Sequence, residues 1–297
     1  MILNKVTLVD FMNNVFISFA VFKKTLYEMK NIKGEEALFK REDIPFFIYF
    51  VFKKLNSYFS TYGKLIICFE GSNSLQWRRN IYADYKRNRD KSKLDDEYLV
   101  LKETFPLIEN LLKFYPCKIL KVDFAEADDL IYVLSERYHK ENEVTIISTD
   151  GDMAQIINKF DNVSVYNPIR SKYMDKRPDV LLEKAIVGDV SDGIPGIPGI
   201  GKKTFVRMME DKSFFVKKMQ GENKEIIKKF LSIIDLSKMP EKIKKNILDK
   251  ETETSYNNFE PDSIEQLFFT YKMKDALEHW GNVSGDIAIA SKKKELI

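Results

Sequence analysis

Short runs of apolar, largely β-branched residues alternate along the chain with longer stretches of helical periodicity. Val6 to Asp10, Lys64 to Glu70 and Val144 to Ser148 each predict a buried strand. The stretch ending near Met29 and the aromatic-rich segment Ile44 to Phe59 predict helices between them. This alternation predicts an α/β fold with a central, largely parallel sheet and helices on both faces.

Carboxylates stand where these strands end. Asp10 and Glu70 are the last residues of two strands, and Asp150 follows the third. Because ligands bind beyond the carboxyl ends of strands in such sheets, we expect the three at one edge. After Pro178 the pattern is helical, so we predict a catalytic α/β domain over residues 1–180 and a helical region over 181–297.

Composition narrows the chemistry. With 297 residues and 44% hydrophobic content, the chain can bury a large core. The sequence has no secretory pattern and no apolar run of membrane-spanning length, so we expect a soluble, cytoplasmic protein. Cys68 and Cys117 are predicted buried free thiols, and His139 and His279 predicted surface residues. Acid-base chemistry must then come from carboxylates, lysines or metal-bound water.

Charge is segregated although the net charge is only +3. Residues 77–93 hold seven Lys/Arg and two acids, and residues 202–250 hold fourteen bases and seven acids. Between them, residues 118–192 hold fifteen acids and ten bases. Basic segments on either side of an acidic one suit a polyanion held over a centre that cations neutralise.

The acids form clusters at predicted helix and strand ends. Each cluster alone has an ordinary alternative, since acids cap helices and Asp with Gly favours turns. Their joint convergence would be strongly repulsive without bound cations, which favours two Mg²⁺ or Mn²⁺ ions roughly 4 Å apart. The candidate metal ligands are Asp10, Glu70, Glu126, Asp128, Asp129, Asp150, Asp152, Asp189 and Asp192.

A glycine-rich loop before two lysines predicts a duplex contact. The loop resembles the start of a P-loop, but Lys203 stands where Ser or Thr should bind Mg²⁺, and no strand precedes it. A helical hairpin here would offer backbone N–H groups and lysines to phosphates, the alternative being a plain turn. The candidate residues are Gly196, Gly199, Gly201, Lys202, Lys203 and Thr204.

The basic segment 77–93 interleaves cations with aromatic residues, as single-strand binding sites do. The alternative is a solvated helix face. Its position after the strand that ends in Glu70 favours a binding role. The candidate nucleic-acid contacts are Arg78, Arg79, Tyr85 and Arg87.

Together these motifs resemble the 5′-nuclease (flap endonuclease) superfamily, most closely its T-even bacteriophage ribonuclease H type. The resemblance covers about residues 1–210. It is carried by VDF around Asp10, WRRNIYADYKRNR, EADD, STDGD and GDVSDGIPGIPGIGKKT. Glu70 departs from the usual Asp, and Phe11 replaces the usual Gly as in the T-even branch.

The resemblance implies a Rossmann-like core, a helical arch at about 75–115 and a helix-hairpin-helix at about 188–210 that binds duplex through K⁺. It implies two-metal cleavage with 5′-phosphorylated products. Lys86 and Arg89 would be catalytic arch cations near the scissile phosphate, with Tyr85 as a stacking partner.

The expected function is a 5′→3′ exonuclease and flap endonuclease that removes RNA primers or flaps during replication. Expected partners are branched or nicked duplex DNA, RNA–DNA hybrid, and a sliding clamp or single-strand binding protein; a monomer without membrane contact is expected. The alternatives are a catalytically silent binder of branched DNA and a PIN-type single-strand ribonuclease.

Overall fold

A single mixed sheet organises the chain. The computed structural model describes residues 4–30, 38–88 and 96–295. The strand order is β3-β2-β1-β4-β5-β6, with all neighbours parallel except the antiparallel β5 and β6. The strands are β1 Asn4–Asp10, β2 Lys64–Glu70, β3 Cys117–Val122, β4 Asn142–Ile147, β5 Val163–Asn167 and β6 Lys172–Tyr173. This confirms the predicted α/β class.

Helices cover both faces of the sheet, as parallel strands with two apolar faces require. In β1, Leu8 and Val9 are both fully buried but belong to opposite core layers. The helices are α1 Phe11–Lys30, α2 Ile44–Tyr62, α3 Gln76–Ile81, α4 Asp96–Leu112, α5 Ala127–Tyr138, α6 Ala154–Lys159, α7 Val180–Val187, α8 Lys202–Glu210, α9 Lys212–Lys218, α10 Glu222–Ile234, α11 Glu241–Glu253, α12 Pro261–Thr270 and α13 Lys274–Glu295.

The core has three clusters of buried apolar side chains. The first joins α1, α2 and α4 on one face and includes Phe268 and Trp280 from α12 and α13. The second joins α5, α6 and α11 on the other face. The third joins α7, α8 and α10 and includes Phe205 and Phe230. We therefore propose that the boundary near residue 180 sets off the third cluster, while the last three helices complete the two layers on the sheet.

Strands β3, β5 and β6 lie outside the three strands that the sequence predicts. Strand β3 was not predicted because lysines interrupt its apolar residues. One of them, Lys118, is nevertheless buried, and its Nζ lies 2.6 Å from Glu251 Oε1 of α11. Helix α4 continues through Pro106. The predicted state of Cys68 and Cys117 is confirmed, since both are buried free thiols.

Neither histidine lies near the acidic edge of the sheet. His279 is exposed and His139 is half-buried beside Phe160, with ring centroids 5.0 Å apart. Within the described ranges, no helix combines the length and apolar character needed to cross a bilayer.

Candidate active site

The carboxyl ends of three adjacent strands meet at one cleft. Asp10 ends β1, Glu70 ends β2, and Asp150 lies three residues beyond the end of β4. Because β1 lies between the other two strands, these carboxylates share one edge, as the sequence predicts. The cleft has a volume of about 880 Å³. Its charged lining residues are Asp10, Glu70, Arg79, Lys86, Glu126, Asp128 and Asp150.

Asp10 is fixed where β1 passes into α1. Its Oδ1 accepts a hydrogen bond from the backbone N–H of Asn13 at 3.1 Å. The Asn13 amide in turn donates to Thr149 Oγ1 at 3.2 Å and accepts from the Thr149 N–H at 3.0 Å, which ties the ends of β1 and β4 together. Burial, with the charges of Asp150 and Glu70, raises the pKa of Asp10 to about 7 against the bond from Asn13.

Asp128 and Asp152 add to the acidic charge around Asp10 and Asp150. Asp128, in the first turn of α5, has a pKa well above its ordinary value because of burial and the charges of Asp150 and Asp10. Asp150 Oδ1 accepts the N–H of Asp152 at 2.8 Å. Burial raises the pKa of Asp152 to about 6, although Lys184 lowers it. These acids are held close together at a cost that a cation would relieve.

A second group of carboxylates surrounds Lys184, in the last turn of α7. The ammonium pairs with Asp152, lies 2.6 Å from Asp189 Oδ2 and 3.8 Å from Asp192 Oδ2. Burial would raise the pKa of Asp189, but hydrogen bonds from Lys184 and Ser191 outweigh it and lower the pKa to about 2. The second group thus has a lysine within ion-pair distance of all three carboxylates. In the described part of the chain, Lys86 acts on Asp10 and Asp128 only from beyond ion-pair distance and pairs with Glu126.

Arg78 and Asp129 form a buried pair below the cleft. Arg78 Nη2 lies 2.6 Å from Asp129 Oδ1, Nη1 lies 2.8 Å from Glu126 Oε2, and Nε donates to the Ile233 carbonyl at 2.9 Å. Arg78 is 2% exposed and Asp129 0%. The predicted roles of Arg78 in nucleic-acid binding and of Asp129 in metal binding stay predictions, and the buried pairing of the two side chains supports neither.

Tyr85 also turns inward. It is 3% exposed, and its hydroxyl donates to Glu126 Oε2 at 3.1 Å. The predicted stacking of Tyr85 on a base stays a prediction that this buried position does not support. Lys86 follows in a left-handed conformation (φ 52°), and its Nζ lies 2.5 Å from Glu126 Oε1. Its N–H donates to the carbonyl of Asp192 at 2.9 Å. Glu126 is therefore shared by three donors and is not a free ligand.

Two other cations of the basic segment, Arg79 and Arg87, are exposed. Arg79 is exposed at the cleft, with its Nε donating to the carbonyl of Tyr85 at 3.1 Å. Arg87 is exposed and pairs with Asp84 at 2.8 Å. Arg89, predicted as catalytic, lies outside the described residues.

The predicted hairpin exists between α7 and α8. Gly196 takes a positive φ of 69°, and a Cβ there would come within 2.5 Å of the backbone of Val187 and Gly188. Gly201 precedes the first turn of α8, and Lys202 is exposed at its start. The candidate residues Gly196, Gly199, Gly201, Lys202, Lys203 and Thr204 thus lie in one turn and the helix start that follows it.

Comparison with known proteins agrees with this architecture. Residues 5–186 match the family described as 5′-3′ exonuclease, N-terminal resolvase-like domain. The chain belongs to this family. The match covers more than half of the 297 residues and includes most of the predicted acidic positions.

Individual relatives extend the comparison. A 5′-3′ exonuclease of Aquifex aeolicus is 35% identical over 147 residues, covering 45% of this chain and 47% of that protein. Ribonuclease H of Enterobacteria phage T4 is 26% identical over 211 residues, covering 68% of this chain and 64% of that protein. Both matches span less than two thirds of the relative's length.

A solved structure of the bacteriophage T5 flap endonuclease, in a pseudo-enzyme-product complex with DNA and metal ions, has a similar fold. The TM-score is 0.51 at 20% identity, and the alignment covers 97% of this chain and 99% of that one. The likeness extends the shared fold beyond the family's N-terminal domain into the helical region.

The donor set of this 5′-3′ exonuclease family member fits a hard divalent cation. Carboxylate oxygens are the ligands that Mg²⁺ and Mn²⁺ prefer. Burial and neighbouring acids raise the pKa values of Asp10 and Asp128, and a bound cation would favour their ionised forms. As the side chains of the described part stand, no three acid, histidine or cysteine residues are arranged around one ion position. Lys86 and Lys184 lie among the carboxylates instead.

Two features of the site were missed from sequence. In the sequence, Lys184 looks like an ordinary cation near a helix C-terminus. Its position five residues before Asp189 is the signal that could have placed it near the acids. Phe16 reads as part of the apolar stripe of α1. It lines the cleft, is 38% exposed, and its ring lies 6.0 Å from that of Tyr98 in a near-parallel arrangement. Aromatic side chains therefore line the cleft beside its carboxylates.

Proposed function

We propose that this protein is a divalent-metal-dependent, structure-specific 5′ nuclease that hydrolyses phosphodiester bonds near 5′ ends of DNA or RNA on a duplex. The observation that carries the proposal is the meeting of Asp10, Asp128 and Asp150 in one cleft, without a histidine. Family membership narrows the reaction class to a 5′-3′ exonuclease.

Two sets of carboxylates would hold the ions. Asp10, Asp128 and Asp150, with Glu70 at the rim, would bind one of them. The other set is Asp152, Asp189 and Asp192. Bound Mg²⁺ or Mn²⁺ supplies an activated water and stabilises negative charge on a phosphodiester. We place Glu126 and Asp129 behind these ligands, where they hold the cations of the basic segment.

Lys86 is the proposed catalytic cation of the protein itself. Its position is set twice, by the ion pair with Glu126 and by the bond from its N–H to the Asp192 carbonyl. The ammonium lies 3.8 Å from Asp192 Oδ1 and lines the cleft that holds Asp10, Asp128 and Asp150, so it can donate to a phosphate oxygen there. Arg79 and Arg87 are proposed contacts to the single strand, and Arg89 retains the role that the family resemblance implies.

The duplex would be held by the hairpin between α7 and α8. Gly201 leaves the first N–H groups of α8 open, and Lys202 and Lys203 are exposed beside them. Contacts of this kind hold phosphates without reading sequence. A K⁺ ion at this turn remains a proposal from the family resemblance.

The biological substrate that fits these elements is a 5′ flap, or an RNA primer, on duplex DNA. A site for the 5′ strand and a separate one for the duplex would select such junctions over free single strands. The proposed setting is primer and flap removal in replication, with a sliding clamp or single-strand binding protein as proposed partners and a monomer as the proposed state.

The test is cleavage of a 5′-labelled flap on a nicked duplex with Mg²⁺. Wild type and Asp161→Asn, a control at an exposed turn, should release short 5′-phosphorylated products. Asp150→Asn should bind the junction but cut at least about a hundredfold more slowly, the scale expected when electrostatic stabilisation of the transition state is lost. Junction binding by wild type without any cleavage would replace the nuclease with a silent binder, and cutting of free single-stranded RNA alone would favour a PIN-type ribonuclease.

A further inference from the structure

The carboxylates around the Lys184 ammonium would suit a cation of higher charge than the single positive charge of a lysine. Its ammonium contacts carboxylates from two separate segments: Asp152 after β4, and Asp189 and Asp192 in the loop that follows α7. The lysine side chain is 18% exposed, and the three carboxylate side chains are 17%, 15% and 8% exposed. Lys184 thus contacts all three acids in a partly desolvated space, and Lys86 reaches only Asp192 among them, at 3.8 Å.

The loop that carries two of these acids is held independently of the lysine. The backbone of Asp189 exchanges two hydrogen bonds of 2.8 Å with Ile194. The Asp189 carboxylate accepts the N–H groups of Ser191 at 2.8 Å and Asp192 at 3.2 Å. The acids are therefore positioned by backbone structure, so their grouping does not depend on the lysine.

The neighbouring acid set has no such lysine at comparable range. Within the described part of the chain, no ion pair of 4.0 Å or less reaches the carboxylates of Asp10, Asp128 or Asp150, whereas Lys86 is bound to Glu126. The two sets are adjacent, since the Asp150 carboxylate of one set accepts a hydrogen bond from the backbone N–H of Asp152 in the other. The cleft is thus electrostatically asymmetric, with one half pre-neutralised by the chain itself.

We propose that Lys184 is an internal cation that occupies the second metal position and competes with the ion there. The inference rests on the proposed two-metal function. The set around Asp10 then binds the first divalent ion readily. The set around Asp152 takes a second ion only when the lysine side chain swings out, which its flexible four-carbon stem allows. Lys184 is a positioning residue in this account, and it makes the two sites unequal.

A displaced ammonium has a natural partner in the substrate. It would remain at the cleft edge, close to where a phosphate of bound nucleic acid lies in the proposed function. A charge-assisted hydrogen bond from the Lys184 ammonium to this phosphate would offset the loss of its contacts with the carboxylates. Second-ion uptake is thereby coupled to substrate binding, which limits activated water in the empty enzyme.

The experiment measures Mn²⁺ binding to the full chain without nucleic acid, by the electron paramagnetic resonance signal of free Mn²⁺. Lys184→Met keeps length and removes the charge; Lys184→Arg keeps the charge. Lys176→Met, at an exposed position, is the matched control. Wild type, Lys184→Arg and the control should bind one ion tightly and a second weakly. Lys184→Met should bind the second ion at least about tenfold more tightly, because removing a like charge within a few ångströms changes affinity on that scale.

The outcomes separate the two proposals. Equal second-site affinity in wild type and Lys184→Met, with both folded by circular dichroism, overturns the role of Lys184 but leaves the nuclease proposal intact. Loss of all binding in every variant overturns both. If Lys184→Met does not fold, Lys184→Gln is measured instead, with the same expected tightening.

Discussion

Replacement of Asp10 by asparagine should stabilise the metal-free protein while abolishing its function. In the folded chain the pKa of Asp10 is about 7, against an ordinary value of 3.8. Between these values the folded state holds a proton that the unfolded chain has released. The free energy of unfolding of wild type therefore falls as pH rises from about 4 to about 7. Asparagine does not ionise and escapes this loss.

The magnitude follows from the shift. About three pKa units correspond to about 4 kcal/mol, at about 1.4 kcal/mol per unit. That is an upper limit, because Asp128 and Asp150 repel the same charge and share the relief. We expect a gain of about 2 kcal/mol at pH 8, or about 4 °C in Tm for a chain of this size. The introduced asparagine would also keep a side-chain oxygen for the Asn13 N–H, so capping is preserved.

The assay is thermal and urea unfolding in EDTA at several pH values from 4.5 to 8, with Asp161→Asn as control. The gain for Asp10→Asn should grow with pH and level off above about 7, and added Mg²⁺ should stabilise wild type more than the variant. A variant no more stable than wild type at pH 8, or a gain independent of pH, would refute the reasoning.

Two further outcomes are expected. Arg78→Met leaves Asp129 buried without its cationic partner and removes one of the three donors to Glu126, so urea unfolding should show a loss of about 3 to 5 kcal/mol. A loss below about 1 kcal/mol would contradict the buried-pair assignment. Lys202→Ala combined with Lys203→Ala should weaken duplex binding and make the dependence of log affinity on log salt shallower by about 2. An unchanged salt slope would remove these lysines from the duplex contact.

The features predicted from sequence are those that local pattern controls. Strands β1, β2 and β4 are apolar runs, and the end of a parallel strand fixes where Asp10 and Glu70 emerge, so their meeting could be anticipated. The spacing of glycines within one segment also predicted the hairpin. At Gly196 the backbone approaches the end of α7 so closely that no side chain would fit.

The features that were missed depend on partners distant in sequence. Asp128 and Asp129 are adjacent, yet only the first faces the cleft, because Arg78, 51 residues from Asp129, closes on the second. Composition presents Arg78 as one more cation of a basic run, and only tertiary packing shows that it is buried. Likewise, the role of Lys184 depends on its ion pair with Asp152, which lies in a different segment of the chain.

The most direct test of the central claim is anomalous X-ray scattering from crystals of wild type soaked in Mn²⁺. We expect a strong peak bounded by the carboxylates of Asp10, Asp128 and Asp150, which is absent in Asp150→Asn. Crystals that diffract well but show no peak there, or peaks only at scattered surface acids, would contradict the assignment of this cleft as the metal centre of a nuclease.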